Sequence, residues 1–274
     1  MEQCSAGGNL FLKERKGMEW LNRFTDVMDC LSSSSNMGMG VSELARETNL
    51  SKGTIHRMLT SMCEQQLVIQ DKATKQYYLG PKTMLWGSQF LRLQDPIKLL
   101  GKYGEKLSNQ TNLYTFICRY HGGDVYCVYT HQPSDLRNKY FVHVGQRMPI
   151  HCAAAAKVIV AYQEEATIEK IVQETPFEAA TPYTKTNPHD IKKELNEIYH
   201  SQLAFCVEEL EIGVSAISAP IFYDEKKTNV SISIVGESEY IEIYQEKLVK
   251  QINEVAKEAS EHMKSMHLLS SIRL

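Results

Sequence analysis

Two short amphipathic segments follow one another between residues 41 and 62. Each carries apolar or small side chains at helical spacing, which are Val41, Leu44, Ala45 and Thr48 in the first and Ile55, Met58, Leu59 and Met62 in the second. Between them, Asn49 can end a helix in the left-handed conformation, Leu50 can fill the corner, and Ser51 can cap the next helix. This pattern predicts a helix-turn-helix, whose second helix typically enters the DNA major groove.

The polar face of the second predicted helix has a composition that suits DNA contact. Its side chains are short and polar, it carries the cations Lys52 and Arg57, and no acid occurs before Glu64. Such a face can approach base edges and phosphates without repulsion, whereas an ordinary solvent-exposed helix is usually richer in Glu and Lys. The residues predicted to contact DNA on this helix are Ser51, Lys52, Thr54, His56, Arg57 and Thr60.

The flanking segments predict the remainder of a winged helix. Upstream, apolar residues at helical spacing predict a first helix packed across the pair, and they are Trp20, Leu21, Phe24, Val27, Met28 and Leu31. Downstream, strand-prone residues 67–69 and 76–79 flank a polar loop at 71–75. Lys72 and Lys75 in that loop are candidates for phosphate contact, with a solvated loop as the alternative.

After residue 80 the spacing of apolar residues is first helical, then alternates as in strands, and later includes further helical segments. A linker helix is predicted at 81–93, followed by a helix at about 97–108. Strands are then predicted at 114–119, 125–130, 140–144, 215–223 and 229–235, and helices at 151–163, 164–174, 189–201 and 239–266. Strands in the middle with helices before and after them predict an α+β fold, in which an antiparallel sheet is packed by helices.

Length and composition indicate a two-domain globular protein. The 274 residues are 43% hydrophobic, and no run approaches the ~20 apolar residues that span a bilayer. Residues 1–16 lack the apolar block of a secretory signal and are predicted to be a mobile tail, so we expect a cytoplasmic protein. The net charge is −3, and residues 1–90 carry 10 Lys+Arg against 9 Asp+Glu. DNA contact is therefore expected to be local.

Candidate catalytic and metal-binding patterns are few. The seven cysteines have no metal-ligand spacing, so buried reduced thiols are the simple interpretation. A redox switch is the alternative, and Cys118 and Cys127, on either side of a predicted turn, are the first pair to test. The acidic run 208–211 is interpreted as a solvated face, although Glu209 is a candidate for holding a loop over a pocket. Without a nucleophile motif or phosphate-binding loop, we expect no enzyme and no cofactor.

Four segments carry a specific combination of motifs. They are GVSELARETNLSKGTIHRMLTSM (40–62), YYLGPKTMLWG (77–87), GQRMPIHCAAAAK (145–157) and EELEIGVSAISAPIF (208–222). Together they resemble the IclR family of bacterial transcription regulators, over about residues 17–266. Asn49 and Gln66 depart from the pattern, because the family usually has glycine there. The resemblance implies a winged helix-turn-helix, a GAF-like domain that binds a small effector, and a homodimer or homotetramer.

The resemblance also implies which residues contact the effector, namely Ala154, Ala155, Cys206, Ala216, Ser233 and Val235. Relatives that bind small oxo acids tend to have an acid, a cysteine and two serines at the last four positions, and only Ser233 retains that character. A drier site should reject a small, hydrated acid and favour a larger, partly apolar or aromatic ligand. The start of the helix near Ala154 could attract a carboxylate, although close helix–sheet packing is the alternative interpretation of the alanines.

Aromatic residues of the predicted strands are candidates for lining the same pocket. The candidates are Phe116, Tyr126, Tyr129 and Phe141, and alternate strand residues must face elsewhere. Phe116, Tyr129 and Phe141 are the three that we assign to it.

The sequence thus predicts a tail at 1–16, a winged helix-turn-helix at 17–80, a linker helix at 81–95 and a GAF-like domain at 96–274. The expected function is a transcription regulator that binds double-stranded operator DNA under the control of a small organic, carboxylate-bearing effector, as a repressor of a catabolic operon. A thiol-based redox sensor or enzyme is one alternative, and a protein-interaction module is another.

Overall fold

The fold comes from a computed structural model that describes residues 8–34, 38–92, 95–133 and 142–271. The chain divides into two compact units, Met1–Leu93 and Gln94–Leu274. Each unit has its own buried core. None of the helices in the described parts of the chain is long and apolar enough to cross a bilayer.

The first unit is a winged helix-turn-helix, as predicted. Its elements are α1 (Gly8–Ser33), α2 (Val41–Glu47), α3 (Lys52–Glu64), β1 (Val68–Gln70), β2 (Tyr77–Leu79) and α4 (Pro81–Arg92). Helix α1 begins inside the segment 1–16 that was predicted to be a tail, and residues 1–7 lie outside the described residues.

The core of the first unit forms where the apolar faces of α1, α2 and α3 meet. Ile55 and Leu59 of α3 are fully buried with Leu44 of α2 and Val27 of α1. The predicted packing of α1 is correct for Val27 and Leu31, whereas Trp20 is 62% exposed and Leu21 is 51% exposed. Helical spacing alone does not reveal how far along a helix its packing partners extend.

The turn between α2 and α3 has the predicted geometry. Asn49 has φ +54° and Leu50 is half-buried at the corner, where its N–H donates to the Ala45 carbonyl. Asparagine reaches this left-handed conformation more easily than most residues, so it is accepted at this turn. Gln66, after α3, also has a positive φ, +59°.

The junction between wing and α4 is a close backbone contact. The Gly80 N–H donates to the Leu67 carbonyl at 2.7 Å, and the Lys82 N–H donates to the Gln66 carbonyl at 3.1 Å. A Cβ atom on Gly80 would lie 2.3 Å from the Gln66 carbonyl oxygen. Glycine is therefore required in the Leu79-Gly80-Pro81-Lys82 sequence because only a hydrogen fits against this backbone.

The second unit is a six-stranded antiparallel sheet with helices on both faces, which confirms the predicted α+β class. Its helices are α5 (Asp95–Thr111), α6 (Ala154–Val160), α7 (Glu165–Glu174), α8 (Pro188–Ser201), α9 (Ser238–Ile243) and α10 (Gln245–Ser271). Its strands are β3 (Tyr114–His121), β4 (Asp124–His131), β5 (Arg147–Met148), β6 (Ala204–Val207), β7 (Val214–Asp224) and β8 (Lys227–Glu237), in the order β5-β4-β3-β8-β7-β6.

Strand alternation divides the sheet into two apolar layers. On β3 and β8, residues such as Phe116 and Val235 join the core beneath α6, α7 and α8. Their neighbours Ile117 and Ile234 face the core formed with α5 and α10. The face under α6 is called the α6 face below.

Three local predictions for this unit were wrong. Residues 142–144 are not a strand, and residues 140–141 lie outside the described residues; β5 at 147–148 pairs with β4 instead. Strand β6 was not predicted. It has four residues and begins only two positions after α8, so its sequence is too short to show a strand period of its own. The C-terminal helix is interrupted at Tyr244, which ends α9.

Gly80→Ala should destabilise the first unit by about 1–3 kcal/mol, because the added methyl group overlaps backbone that cannot move aside. Gly87→Ala is the matched control, since Gly87 lies in α4 with no atom within 4 Å of the added Cβ. It should instead stabilise by about 0.5–1 kcal/mol. Urea unfolding of both variants measures this, and equal stability of the two would contradict the close contact.

Candidate nucleic-acid interface and ligand site

Helix α3 presents a continuous polar face to solvent. Ile55, Leu59 and Met62 fix its buried side, and the opposite side exposes Lys52, His56, Arg57 and Thr60. In the described parts of the chain neither Lys52 nor Arg57 pairs with an acid. Both cations are therefore available to an external anion.

Two of the predicted DNA-contact residues, Ser51 and Thr54, also build the start of α3. Ser51 caps the helix, where its Oγ accepts from the Thr54 N–H at 3.2 Å and lies 2.9 Å from the Thr54 hydroxyl. Further along, the Thr60 hydroxyl donates to the His56 carbonyl at 2.9 Å. The capping bond orients the first turn of α3. The side chains of Lys52, His56 and Arg57 take no part in this cap.

The wing loop is held by Asp71. Its carboxylate accepts from the N–H groups of Ala73 at 2.7 Å and Thr74 at 2.8 Å. These backbone bonds, that from Thr74 foremost, lower the pKa of Asp71. Lys75 takes φ +61°, and Lys72 and Lys75 are both exposed in the ordered turn. The predicted wing tip is thus a defined structure with two lysines directed to solvent.

The predicted effector residues of the second unit share the α6 face. Cys206, Ala216 and Val235 are direct cross-strand neighbours on β6, β7 and β8. In the adjacent row, Ser233 of β8 lies opposite Phe116 of β3. The register therefore brings five residues from four separate strands into two neighbouring rows.

Helix α6 covers these rows and contributes the two predicted alanines. Ala154 and Ala155 are buried in its first turn. The Ser231 hydroxyl donates to the Ala155 carbonyl at 3.0 Å, which ties the helix to the sheet. Small side chains allow this approach, so close packing accounts for the alanines as the structure stands. With only seven residues, α6 also has a weaker dipole than the sequence argument assumed.

Tyr129 does not belong to this group, which corrects the sequence assignment. Strict alternation would place it on the same face as Val125 and Cys127. The pairing of β3 with β4 shifts after Ile117, so that Ile117 faces Tyr129 while Cys118 faces Cys127. This β-bulge adds one residue to β4 and turns Tyr129 toward α5, where its ring lies against Gly101 and Gly104. Phe141 lies outside the described residues.

The structure adds two polar residues that sequence reasoning missed. The Ser218 and Ser233 hydroxyls are 2.7 Å apart on the α6 face. Tyr114, two positions before Phe116 on the same face, donates its hydroxyl to the Val142 carbonyl at 2.5 Å. The period of two along β3 could have identified Tyr114, but Ser218 needed the strand register.

A buried ion cluster closes one end of the site. Lys157 of α6 is 1% exposed, and its Nζ lies 2.7 Å from both carboxylate oxygens of Glu209 and 3.0 Å from Glu194. Lys185 also contacts Glu194, at 2.9 Å. The interpretation of the acidic run as a solvated face is therefore wrong for Glu209, which is 5% exposed.

Burial dominates the ionisation of the groups around this cluster. It raises the pKa of Glu209, with Lys157 acting in the opposite direction. It also raises the pKa of Cys206, and that of Cys152 to about 12. These thiols are therefore neutral at physiological pH and add to the dry character of the site.

The segment 176–187 lies across the same end. The Thr181 hydroxyl donates to the Glu208 carbonyl at 2.7 Å, and the Thr184 hydroxyl donates to the Glu209 carbonyl at 2.6 Å. The His151 Nε2 lies 2.9 Å from the Glu178 carbonyl. Glu209 thus holds this loop through its backbone and α6 through its carboxylate.

A separate cleft of about 810 Å³ opens beside the site. It is lined by residues that include Tyr120, Arg147, Met148, His151 and Ile171, and by none of the predicted effector residues. Within the described residues, no group of three or more His, Cys, Asp and Glu side chains is placed to hold a metal ion.

Comparison with known proteins covers most of the chain. Residues 89–261 match the bacterial transcriptional regulator IclR C-terminal family, and residues 21–72 match the IclR helix-turn-helix domain. The chain is 26% identical to the Pca operon regulatory protein of Acinetobacter baylyi, over 72% of each chain. It is 24% identical to the transcriptional repressor IclR of Escherichia coli, over 74% of this chain and 75% of the other.

The fold also matches a solved structure, an IclR homolog from Microbacterium hydrocarbonoxydans complexed with 4-hydroxybenzoate. The TM-score is 0.68 with 18% identity, over 89% of this chain and 99% of that chain.

Glu209→Leu should destabilise the second unit by about 3–5 kcal/mol, because it leaves the buried Lys157 charge with reduced compensation. Adding Lys157→Met should recover most of that loss, since an apolar pair of similar volume needs no neutralisation. Urea unfolding of the two single variants and the double variant gives the coupling energy. A double variant no more stable than Glu209→Leu alone would show that Glu209 does not neutralise the buried Lys157 charge.

Proposed function

The chain belongs to the IclR family of bacterial transcriptional regulators, and from that premise we propose that it represses a catabolic operon until a small aromatic acid lowers its affinity for operator DNA. The observation that carries the DNA-binding part is the exposed face of α3, where Lys52 and Arg57 have no acidic partner among the described residues.

The proposed DNA contact follows from the dimensions and chemistry of α3. Its 13 residues give a length of about 20 Å, and a helix of this diameter fits the major groove. Arg57 is the candidate for reading a guanine, because its guanidinium can donate two parallel hydrogen bonds. Lys72 and Lys75 would contact phosphates and add affinity without sequence information.

A homo-oligomer is part of the proposal because one winged helix offers few contacts. Residues 1–90 are nearly neutral, so a single copy gains little from long-range attraction to DNA. Two copies related by a two-fold axis would read two half-sites of a palindromic operator. The effector would act by favouring an arrangement whose half-site spacing does not match the operator.

The proposed effector class follows from the α6 face. Phe116, Val235, Ala216 and Cys206 provide an apolar wall, and Ser233 with Ser218 provides hydroxyl groups in the adjacent row. An aromatic ring suits the wall, and a carboxylate or phenol suits the hydroxyls. The 4-hydroxybenzoate bound by the Microbacterium relative supports this class. A repressor is proposed because the Escherichia coli relative is named as one.

Arg57→Ala should weaken operator binding by about 1–3 kcal/mol and relax specificity at one base position. The operator is first selected from random duplexes with the unmodified protein, and affinities are then measured by fluorescence anisotropy. Lys193→Ala, which removes an exposed cation from α8, is the control for the loss of charge. If both variants bind the operator equally well, Arg57 does not read DNA.

4-Hydroxybenzoate, or another acid in a panel of aromatic and aliphatic carboxylates, should raise the melting temperature as its concentration exceeds Kd. Ser233→Ala should weaken that ligand about 10–100-fold, because a hydrogen bond to a charged group is worth about 1.5–3 kcal/mol. Ser265→Ala is the control, since it removes an exposed hydroxyl of α10 that is remote from the α6 face. Equal ligand responses of the two variants would exclude Ser233 from the site.

A further inference from the structure

Two cysteines stand directly opposite each other on neighbouring strands of the second unit. Cys118 of β3 pairs with Cys127 of β4 immediately after the β-bulge. Both side chains are buried on the α6 face, at 0% and 1% exposure. The bulge creates this juxtaposition, because it sets the register in which Cys118 faces Cys127.

The backbone hydrogen bonds of Cys127 determine which kind of pair this is. Its N–H donates to the Gln146 carbonyl at 2.8 Å, and its carbonyl accepts from the Gly145 N–H at 2.7 Å. Both groups therefore point away from β3, so that Cys118 and Cys127 form a non-hydrogen-bonded pair. Such pairs have Cα atoms about 4.5 Å apart, within the range of about 4.4–6.8 Å that a disulfide bridges.

Each thiol has a buried environment. The Cys127 thiol donates to the Tyr129 carbonyl at 3.5 Å, and Cys127 is the residue directly opposite Cys118. Burial, followed by this neighbour, raises the pKa of Cys118. Cys206, by contrast, lies opposite Ala216 and not opposite another cysteine.

We propose that Cys118 and Cys127 form an oxidative modification site, which closes to a disulfide when it reacts with a hydroperoxide. The thiolate of Cys127 attacks the O–O bond, giving a sulfenic acid and an alcohol or water. The thiol of Cys118 then attacks that sulfur, so that the S–S bond forms and water leaves with the thiol proton. The two sulfurs lose two electrons in total, and the peroxide gains them.

Access to Cys127 is through the edge of the sheet. Among the residues that the structure describes, the strand beyond β4 is the two-residue β5, paired at Val125–Met148 and Tyr126–Arg147. Local opening of such a short edge costs less than global unfolding. The closed pair is shielded from solvent, so the reaction rate follows the frequency of this opening.

The disulfide would restrain the loop that leads to the proposed effector residues. Cys127 holds Gly145 and Gln146 through its backbone, and the chain continues from there to Ala154. Fixing β4 to β3 changes how freely this loop can move. This consequence for ligand binding rests on the proposed function, whereas disulfide formation does not.

The test uses the full chain with Cys4, Cys30 and Cys63 replaced by Ser, treated with hydrogen peroxide. Free thiols are counted in denaturant, and non-reduced peptides are identified by mass spectrometry. We expect two thiols to be lost per chain and one cross-linked peptide to contain Cys118 and Cys127. Adding Cys118→Ala should abolish the cross-link and leave a sulfenic acid at Cys127 that dimedone traps. Loss of Cys152 and Cys206 first, or no cross-linked peptide, would overturn the proposal.

A second measurement separates this inference from the proposed function. The thiol count needs neither DNA nor effector, so its result stands whether or not 4-hydroxybenzoate binds. Where an acid from the panel does bind, its Kd is compared between the reduced and oxidised proteins. A change of threefold or more supports the effect on the loop, and an unchanged Kd rejects that effect.

Discussion

The buried charge of Lys157 is the constraint on which the arrangement of the second unit depends. A cation that is 1% exposed must be neutralised nearby, and only fixed carboxylates can do so in a dry interior. Glu209 supplies one and Glu194 of α8 supplies the other. The requirement therefore fixes α6, α8 and the segment after β6 relative to one another. The carbonyls of Glu208 and Glu209 in turn hold Thr181 and Thr184, so the loop at 176–187 depends on the same ion pair.

Beneath that cluster, the α6 face combines small residues, apolar residues and a few hydroxyls. Ala155 allows α6 to lie against Ser231, and the row from Cys206 to Val235 lacks any charge. Burial keeps the thiols at Cys152 and Cys206 neutral. The chemistry of this face therefore suits a largely apolar molecule with one polar end.

In the first unit, a few residues position the surfaces that are proposed to contact DNA. Helix α3 uses Ile55 and Leu59 to anchor itself and Ser51 to define its start, which leaves Lys52 and Arg57 directed to solvent. The wing is also held by one residue, because the carboxylate of Asp71 orders the loop that carries Lys72 and Lys75. Gly80 fixes where the wing ends through a backbone contact that no other residue allows. A nearly neutral unit thereby presents four of the ten Lys and Arg side chains of residues 1–90 on two small surfaces.

The sequence by itself determined the parts of the structure that depend on local spacing. The apolar stripe from Ile55 to Met62, the left-handed turn at Asn49 and the cap at Ser51 each follow from a few neighbouring residues, so the winged helix and the α+β class were predictable. The family motifs indicated the strand positions of the α6 face. Tertiary structure alone decided how distant segments meet. One extra residue in β4 turned Tyr129 to the opposite face and set Cys118 against Cys127, and a lysine 52 residues away from Glu209 made that acid a buried ion-pair partner. Neither outcome has a local signal, because both depend on pairing between segments that are separate along the chain.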